Sequence, residues 1–120
     1  MKIETGNANK SEKYNGWIAG YFLEEKTSRK NESVEVKWIN RKKGEIKKGL
    51  QTNYEATTIV ILISGKLITR FPTDNREVIL SKEGEYLTYN SKEGPHESKT
   101  IEDTKAIVIK WPSKPNKLKI

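Results

Sequence analysis

The stretch TTIVILISG at positions 57–65 contains the most apolar uninterrupted run of the chain, residues 59–63. Its consecutive β-branched residues favour an extended strand over a helix. Both alternating sets of side chains are apolar, so we predict a central strand over 57–63 that is covered on both faces. Ser64-Gly65 indicates a hairpin turn directly after it. Residues 66–71 are then expected to form the returning strand.

Further short apolar runs, separated by turn residues, predict strands over 17–23, 34–38, 77–80, 86–89 and 105–111. The run 34–38 alternates cleanly and places Val34, Val36 and Trp38 on one face, with Glu35 and Lys37 on the other. No window has a helical period of useful length. Strands that start about every ten residues are typical of sandwiches and small barrels, so we predict an all-β fold.

The size of the chain, 120 residues, fits one domain. Hydrophobic and charged residues are nearly balanced, at 33% and 32%, which suits strands that each have one wet face. We predict an N-terminal arm over 1–15, a β-barrel domain over 16–113 and a tail over 114–120. There is no cysteine, which excludes disulfides, thiolate metal sites and a cysteine nucleophile.

The surface is predicted to be basic, with a net charge of +7. Such a surface can bind nucleic acid, or it can simply keep a small domain in solution. Because lysines far outnumber arginines, the better readers of phosphates and bases, we favour the second interpretation and expect no nucleic-acid partner. The densest basic stretch, residues 41–48, is a solvated loop or, as an alternative, a phosphate contact. The N-terminus is polar and no apolar run is long enough to cross a bilayer, so we expect a soluble, cytoplasmic protein without membrane contact.

Two glycine-marked segments resemble the paired motifs of the cupin superfamily. The first is the apolar strand, small residue, glycine and returning strand at 57–67. The second begins at Gly84, continues through an apolar strand at 86–87 and ends in Gly94-Pro95-His96. The resemblance extends over residues 16–113. It implies a single cupin-like β-barrel, the jelly roll also called a double-stranded β-helix.

The ligand set of a typical cupin metal site is missing. The resemblance implies three histidines and a carboxylate around a divalent metal, with two of the histidines in the first motif. Here the corresponding region, 52–58, contains no histidine, and His96 is the only histidine of the chain. One imidazole is too few ligands to hold a transition metal tightly. We therefore predict no metal site and no cofactor.

A candidate pocket can still be assembled from polar residues. Gln51, Asn53, Glu55 and Thr57 are spaced two apart, so they share one face if the chain is extended there. On an inner barrel face they would line a small-molecule pocket together with His96; on an outer face they would be solvated. The resemblance places His96 near the mouth of the barrel.

These residues predict a cupin-like small-molecule binding or sensing protein, whose pocket has an apolar wall of Ile59 and Ile61. One alternative is a metal-independent isomerase, epimerase or lyase that uses His96 as its acid and base. The other is a basic β-barrel that binds nucleic acid. The resemblance also implies a possible homodimer, with residues 17–23 as the edge strand that is exchanged.

Overall fold

The structure is a computed structural model that describes residues 3–10, 12–49, 55–90 and 95–115. These residues form nine β-strands and three short 3₁₀ turns, which confirms the all-β prediction. The strands are β1 Trp17–Ala19, β2 Glu35–Arg41, β3 Ile46–Gly49, β4 Thr57–Ser64, β5 Leu67–Phe71, β6 Arg76–Leu80, β7 Tyr86–Asn90, β8 His96–Thr100 and β9 Thr104–Trp111. Across the described residues, no helix has the length and apolarity needed to cross a membrane.

The strands form two antiparallel sheets with the order of a jelly roll. The larger sheet has the order β1-β2-β9-β4-β7, and the smaller sheet has the order β3-β8-β5-β6. Strands β2 to β9 therefore divide into two sheets of four, and β1 adds an edge strand to the larger one. This arrangement confirms the jelly roll that the resemblance implied.

The hydrophobic core lies between the two sheets. It contains Val60 and Leu62 from β4 and Leu67 from β5, each 6% exposed or less. In β4 the buried residues alternate with half-buried ones, because only one face of the strand looks into the core. The prediction that both faces of 57–63 are fully covered is therefore wrong: Ile59 and Ile61 lie on the outer face and are half-buried.

Ser64-Gly65 is not a hairpin turn. β4 pairs with β7 and β9, whereas β5 pairs with β6 and β8, so the chain changes sheets at this point. Gly65 has a left-handed backbone with φ of +94°, and a Cβ there would lie 2.3 Å from the carbonyl oxygen of Asp103. The glycine is needed because the corner between the sheets brings two backbone segments into close approach.

The structure contains two strands that the pattern of apolar runs did not predict, β3 and β8. They pair with each other at the edge of the smaller sheet, in the register Ile46↔Lys99 to Gly49↔His96. Their sequences, IKKG and HESKT, hold one large aliphatic residue between them. The first predicted strand is also shorter than expected, because β1 ends at Ala19 and the prediction continued to residue 23.

Both flanking segments contact the barrel. In the N-terminal segment, the Asn9 side-chain oxygen accepts hydrogen bonds from the Trp38 indole and the Asn40 amide, at 2.7 and 2.8 Å. After β9, the Ser113 hydroxyl is fully buried; it donates to Glu35 at 3.1 Å and accepts from the Tyr21 amide at 2.9 Å. The domain limits at 16 and 113 remain a prediction.

Candidate functional site

A cavity of about 270 Å³ opens between the two sheets, and side chains from both sheets line it. Its apolar wall is formed by Ile39, Val60, Leu67 and Val108. The remaining lining residues are polar, aromatic or basic. They are Trp17, Lys37, Arg41, Lys47, Lys48, Gly49, Thr58, Thr69, Tyr89, His96, Ser98 and Lys110.

A glycine on the neighbouring strand leaves the space that the His96 imidazole occupies in this cavity. Gly49 lies directly opposite His96 in the β3–β8 pair. A Cβ at position 49 would approach the imidazole carbons and nitrogens to between 2.1 and 2.8 Å. The ring therefore occupies the space that any other residue's side chain would need.

Two aromatic rings complete the surroundings of the imidazole. The ring centroids of His96 and Tyr89 are 4.8 Å apart, and those of His96 and Phe71 are 6.1 Å apart. The Tyr89 hydroxyl and the His96 Nε2 share a hydrogen bond of 3.1 Å. Phe71 and Tyr89 pack edge to face with their ring centroids 5.2 Å apart, so the three rings form one packed cluster.

The environment of the cavity keeps this cluster uncharged. Burial is the largest cause that lowers the pKa of His96, and the positive charges of Lys110 and Arg41 lower it further. Burial also raises the pKa of Tyr89 to about 12. A neutral imidazole bonded to a neutral phenol can donate to or accept from a ligand near pH 7.

Basic side chains also line the cavity. Lys37 projects inward from β2, and its Nζ lies 5.4 Å from the centre of the Trp17 ring on β1. Burial lowers the pKa of Lys37 to about 8, and the neighbouring charges of Arg41 and Lys47 add to this shift. Arg41 donates a hydrogen bond of 3.0 Å to the Ser98 hydroxyl, which joins the two sheets across the cavity.

Of the three predicted site residues that the structure describes, one lines the cavity. His96 lines it, as expected. Thr57 lies on the outer face of β4, where the register pairs it with Asn90 and Trp111, and Glu55 is exposed; neither is among the lining residues. Gln51 and Asn53 lie outside the described residues.

The predicted apolar wall also needs a correction. Ile59 and Ile61 point away from the cavity, and Val60 supplies the wall of β4 together with the polar Thr58. The shift is one residue, which in a strand moves every side chain to the other face. Both alternating sets of 57–63 are apolar, so the pattern could not distinguish them.

The lining residues do not fit the metal that a typical cupin site holds. The described part of the chain contains no group of three or more His, Cys, Asp or Glu residues that could hold a metal ion. The single imidazole in the cavity is accompanied by four inward-facing cationic side chains, which repel a metal cation. No reaction step through a metal is therefore derived for this site.

Comparison with solved structures identifies the fold. A RmlC-like cupin protein from Desulfovibrio desulfuricans superposes with a TM-score of 0.54 at 17% identity, over 69% of this chain and 76% of that one. A cupin superfamily protein from Desulfitobacterium hafniense gives 0.57 at 16% identity, over 68% and 70% of the two chains. The Cupin_2 domain of an XRE family transcriptional regulator from Enterobacter cloacae gives 0.54 at 14%, over 71% and 85%.

The chain thus has the cupin fold, which confirms the resemblance drawn from its two glycine-marked segments. No family model matches the sequence, and no curated protein matches it. At such low identities these similarities establish the architecture alone, because one fold can carry many different functions.

Proposed function

We propose that this chain is a small-molecule binding or sensing protein of the cupin fold that works without a conventional metal site. The observation that supports the proposal is the cavity between the sheets, whose lining combines an apolar wall with the hydrogen-bonded His96–Tyr89 pair. A concave site with a few converging polar groups is the usual form of a ligand pocket. The Cupin_2 domain of the Enterobacter regulator offers a precedent for a cupin domain within a regulatory protein.

The test is a thermal-shift screen of small metabolites on the full chain, repeated on two matched variants. Ser98 lines the cavity, whereas the next residue, Lys99, is exposed. We expect Ser98→Trp to fill the cavity and abolish the stabilisation that a bound compound gives, and Lys99→Trp to retain it. A compound that stabilises Ser98→Trp as much as the unmodified chain would show that it binds elsewhere and would contradict the proposal.

The enzyme alternative, an isomerase, epimerase or lyase, is favoured by one specific observation. His96 is neutral near pH 7 and hydrogen-bonded to a phenol inside the cavity, which is how a general base is positioned. Incubating the protein with a compound from the screen, followed by NMR of that compound, separates the two functions. Conversion that is lost in His96→Ala supports catalysis, whereas a compound recovered unchanged supports binding.

The nucleic-acid alternative is not favoured by the described residues. Lys37, Arg41 and Lys110 turn into the cavity instead of forming an outer basic stripe. A duplex cannot reach side chains inside a cavity of this size. Oligonucleotide binding that weakens steeply with salt would revive this alternative.

We also propose that the protein forms a weak homodimer through the outer face of its larger sheet. The register places apolar residues of neighbouring strands side by side in two rows, and both rows lack charged side chains. The rows are Val36, Ile109, Ile59 and Thr88, and Trp38, Ile107, Ile61 and Tyr86.

A second copy is the occupant that fits this face best. The chain carries a net charge of +7, so an uncharged surface lets two copies meet with little electrostatic repulsion. A two-fold axis would then set isoleucine against isoleucine. The four strands of these rows, spaced about 4.8 Å apart and over about five residues each, present only roughly 330 Å². That is well below the roughly 800 Å² per partner of a standard interface, so the dimer is expected to be concentration-dependent.

A further inference from the structure

The charged residues that line the cavity are all of one sign. None of the residues that line it is a carboxylate, and four cationic side chains lie on the inner faces of their strands: Lys37, Arg41, Lys47 and Lys110. The fifth cationic lining residue, Lys48, pairs with Glu97 on the outer face of β3. The four inward-facing cations come from three different strands, β2, β3 and β9, so the fold gathers them from distant parts of the sequence. Their convergence is a property of the fold and not of one lysine-rich segment.

Some of these cations have an acidic neighbour outside the cavity. Lys48 lies 4.0 Å from Glu97. The negative charge of Glu45 acts to raise the pKa of Arg41, and the positive charge of Lys110 acts to lower the pKa of Glu35. These carboxylates reduce the charge around the cavity, but they do not line it.

Lys37 has a different environment. The charges that act on it come from Arg41 and Lys47, and both are positive. It is half-buried beside the Trp17 ring. A cation that is partly removed from water and placed among other cations gains strongly from an anion at contact distance. Lys37 with Arg41 is therefore the strongest point of attraction in the cavity.

We infer that the cavity binds a small organic anion, with its oxyanion group held by Lys37 and Arg41 and its uncharged body against the apolar wall. The wall residues Val60, Leu67 and Val108 set the chemistry of the second half of the ligand. His96 and Tyr89 offer it one neutral hydrogen-bonding pair. The inference rests on the proposed binding function and names its ligand class.

The volume limits the size of this ligand. A protein cavity of about 150 Å³ holds benzene, which has six heavy atoms. A cavity of about 270 Å³ therefore accommodates about ten heavy atoms. A carboxylate or a phosphate monoester on a single six-membered ring fits this limit, whereas a dinucleotide does not.

The experiment uses three ring compounds of similar size on the full chain at low salt. Benzoate and phenyl phosphate carry an oxyanion, and benzyl alcohol is the neutral control. We expect at least one of the two anions to bind at least tenfold more tightly than the alcohol in calorimetric titrations. The tighter of the two anions identifies the head group as a carboxylate or a phosphate.

Two variants assign the binding to the basic side of the cavity. Lys37→Met and Arg41→Gln each remove one charge, and we expect each to weaken anion binding at least tenfold. Lys99→Met removes an exposed charge from β8 and is expected to change the affinity less than twofold. Circular dichroism of each variant shows whether the fold is retained, and Arg41→Gln serves if Lys37→Met does not fold.

The outcomes separate this inference from the proposed function. If benzyl alcohol binds as tightly as both anions, the cavity is a binding site but the charge inference is wrong. Anion binding that is unaffected by Lys37→Met and Arg41→Gln, or stoichiometric binding of Zn²⁺ or Ni²⁺ in the cavity, also contradicts it. Failure of every compound in both this assay and the metabolite screen would remove the proposed function as well.

Discussion

His96 and Gly49 show at the level of single residues how the site is built. The imidazole lies where a Cβ of residue 49 would be, so the two positions form one structural unit across β3 and β8. The neutral imidazole then reaches the Tyr89 hydroxyl at 3.1 Å. The function of the glycine is steric, because it leaves room for a ring that faces the cavity.

Gly49→Ala is therefore expected to displace the His96 ring and break its hydrogen bond to Tyr89. A steric clash of this kind in a packed region costs about 1–3 kcal/mol of unfolding free energy. Urea unfolding measures the loss, and the histidine resonances report the shift of the ring. Gly6→Ala is the matched control, since a Cβ at Gly6 meets nothing within 4 Å. Equal stability of the two variants would contradict this account.

The lowered pKa of Lys37 predicts how the stability of the fold depends on pH. Its pKa in the folded chain is about 8, below the ordinary 10.5, so the unfolded chain binds more protons between these values. Stability should therefore rise as the pH increases from about 8 to about 10.5, and the full penalty applies below that window. Allowing for its partial solvent contact, the penalty is on the order of 1–3 kcal/mol.

Lys37→Met removes this penalty and tests its sign. The variant should be more stable than the unmodified chain near pH 7 by about 1–3 kcal/mol, and the difference should shrink towards pH 10.5. Urea unfolding across this range measures it. Lys99→Met, at an exposed position, should show no such trend. A Lys37→Met variant that is less stable at neutral pH would show that the amine is stabilised where it lies.

At the level of elements, β4 is informative because its two faces look alike in sequence and differ in the structure. Val60 is 6% exposed and faces the core, whereas Ile61 faces outward. Val60→Ala should cost about 2 kcal/mol of unfolding free energy and Ile61→Ala less than about 1 kcal/mol, because only the first leaves a cavity. Chemical denaturation of the two variants tests the register. A larger loss of unfolding free energy in Ile61→Ala than in Val60→Ala would show that the register is shifted by one residue.

The strands that sequence analysis found each contain an apolar run, and the two that it missed, β3 and β8, do not. β3 and β8 lack a hydrophobic pattern because their inner residues, such as Lys47, His96 and Ser98, face a polar cavity. Periodicity detects burial against a core, so strands whose inner face is polar give no such signal.

β2 illustrates the same limit from the other direction. Its alternation was visible in the sequence, but alternation does not say which face points inward. The structure turns Glu35, Lys37, Ile39 and Arg41 inward and Val36 and Trp38 outward. Basic residues therefore occupy the inner face of a strand that has apolar residues outside. This reversal and the position of Gly49 opposite the single histidine define the site, and the sequence pattern shows neither of them.

At the scale of the whole molecule, the larger sheet carries apolar residues on its outer face as well as in the core, and basic residues on its inner face beside the cavity. The inner face supplies Lys37, Arg41 and Lys110 to the cavity, and the outer face carries rows of isoleucine and aromatic residues. Tyr86 and Trp111, at opposite ends of this outer face, are 65% and 43% exposed. An apolar outer face is what a contact between protein copies uses, while the charged inner face suits an anion.

Ile61→Lys is expected to abolish the proposed dimer without unfolding the chain. Each lysine would place its charge opposite the same charge of the partner copy about the two-fold axis, and an uncompensated charge at the centre of an apolar interface opposes association. Sedimentation equilibrium over a range of protein concentrations measures the effect. The control is Ile79→Lys on β6, an isoleucine that is 49% exposed and belongs to the smaller sheet. We expect concentration-dependent dimerisation in the unmodified chain and in Ile79→Lys, and a monomer in Ile61→Lys. A chain that stays monomeric at every concentration, or a dimer that Ile79→Lys disrupts and Ile61→Lys does not, would exclude the outer face of the larger sheet as the interface.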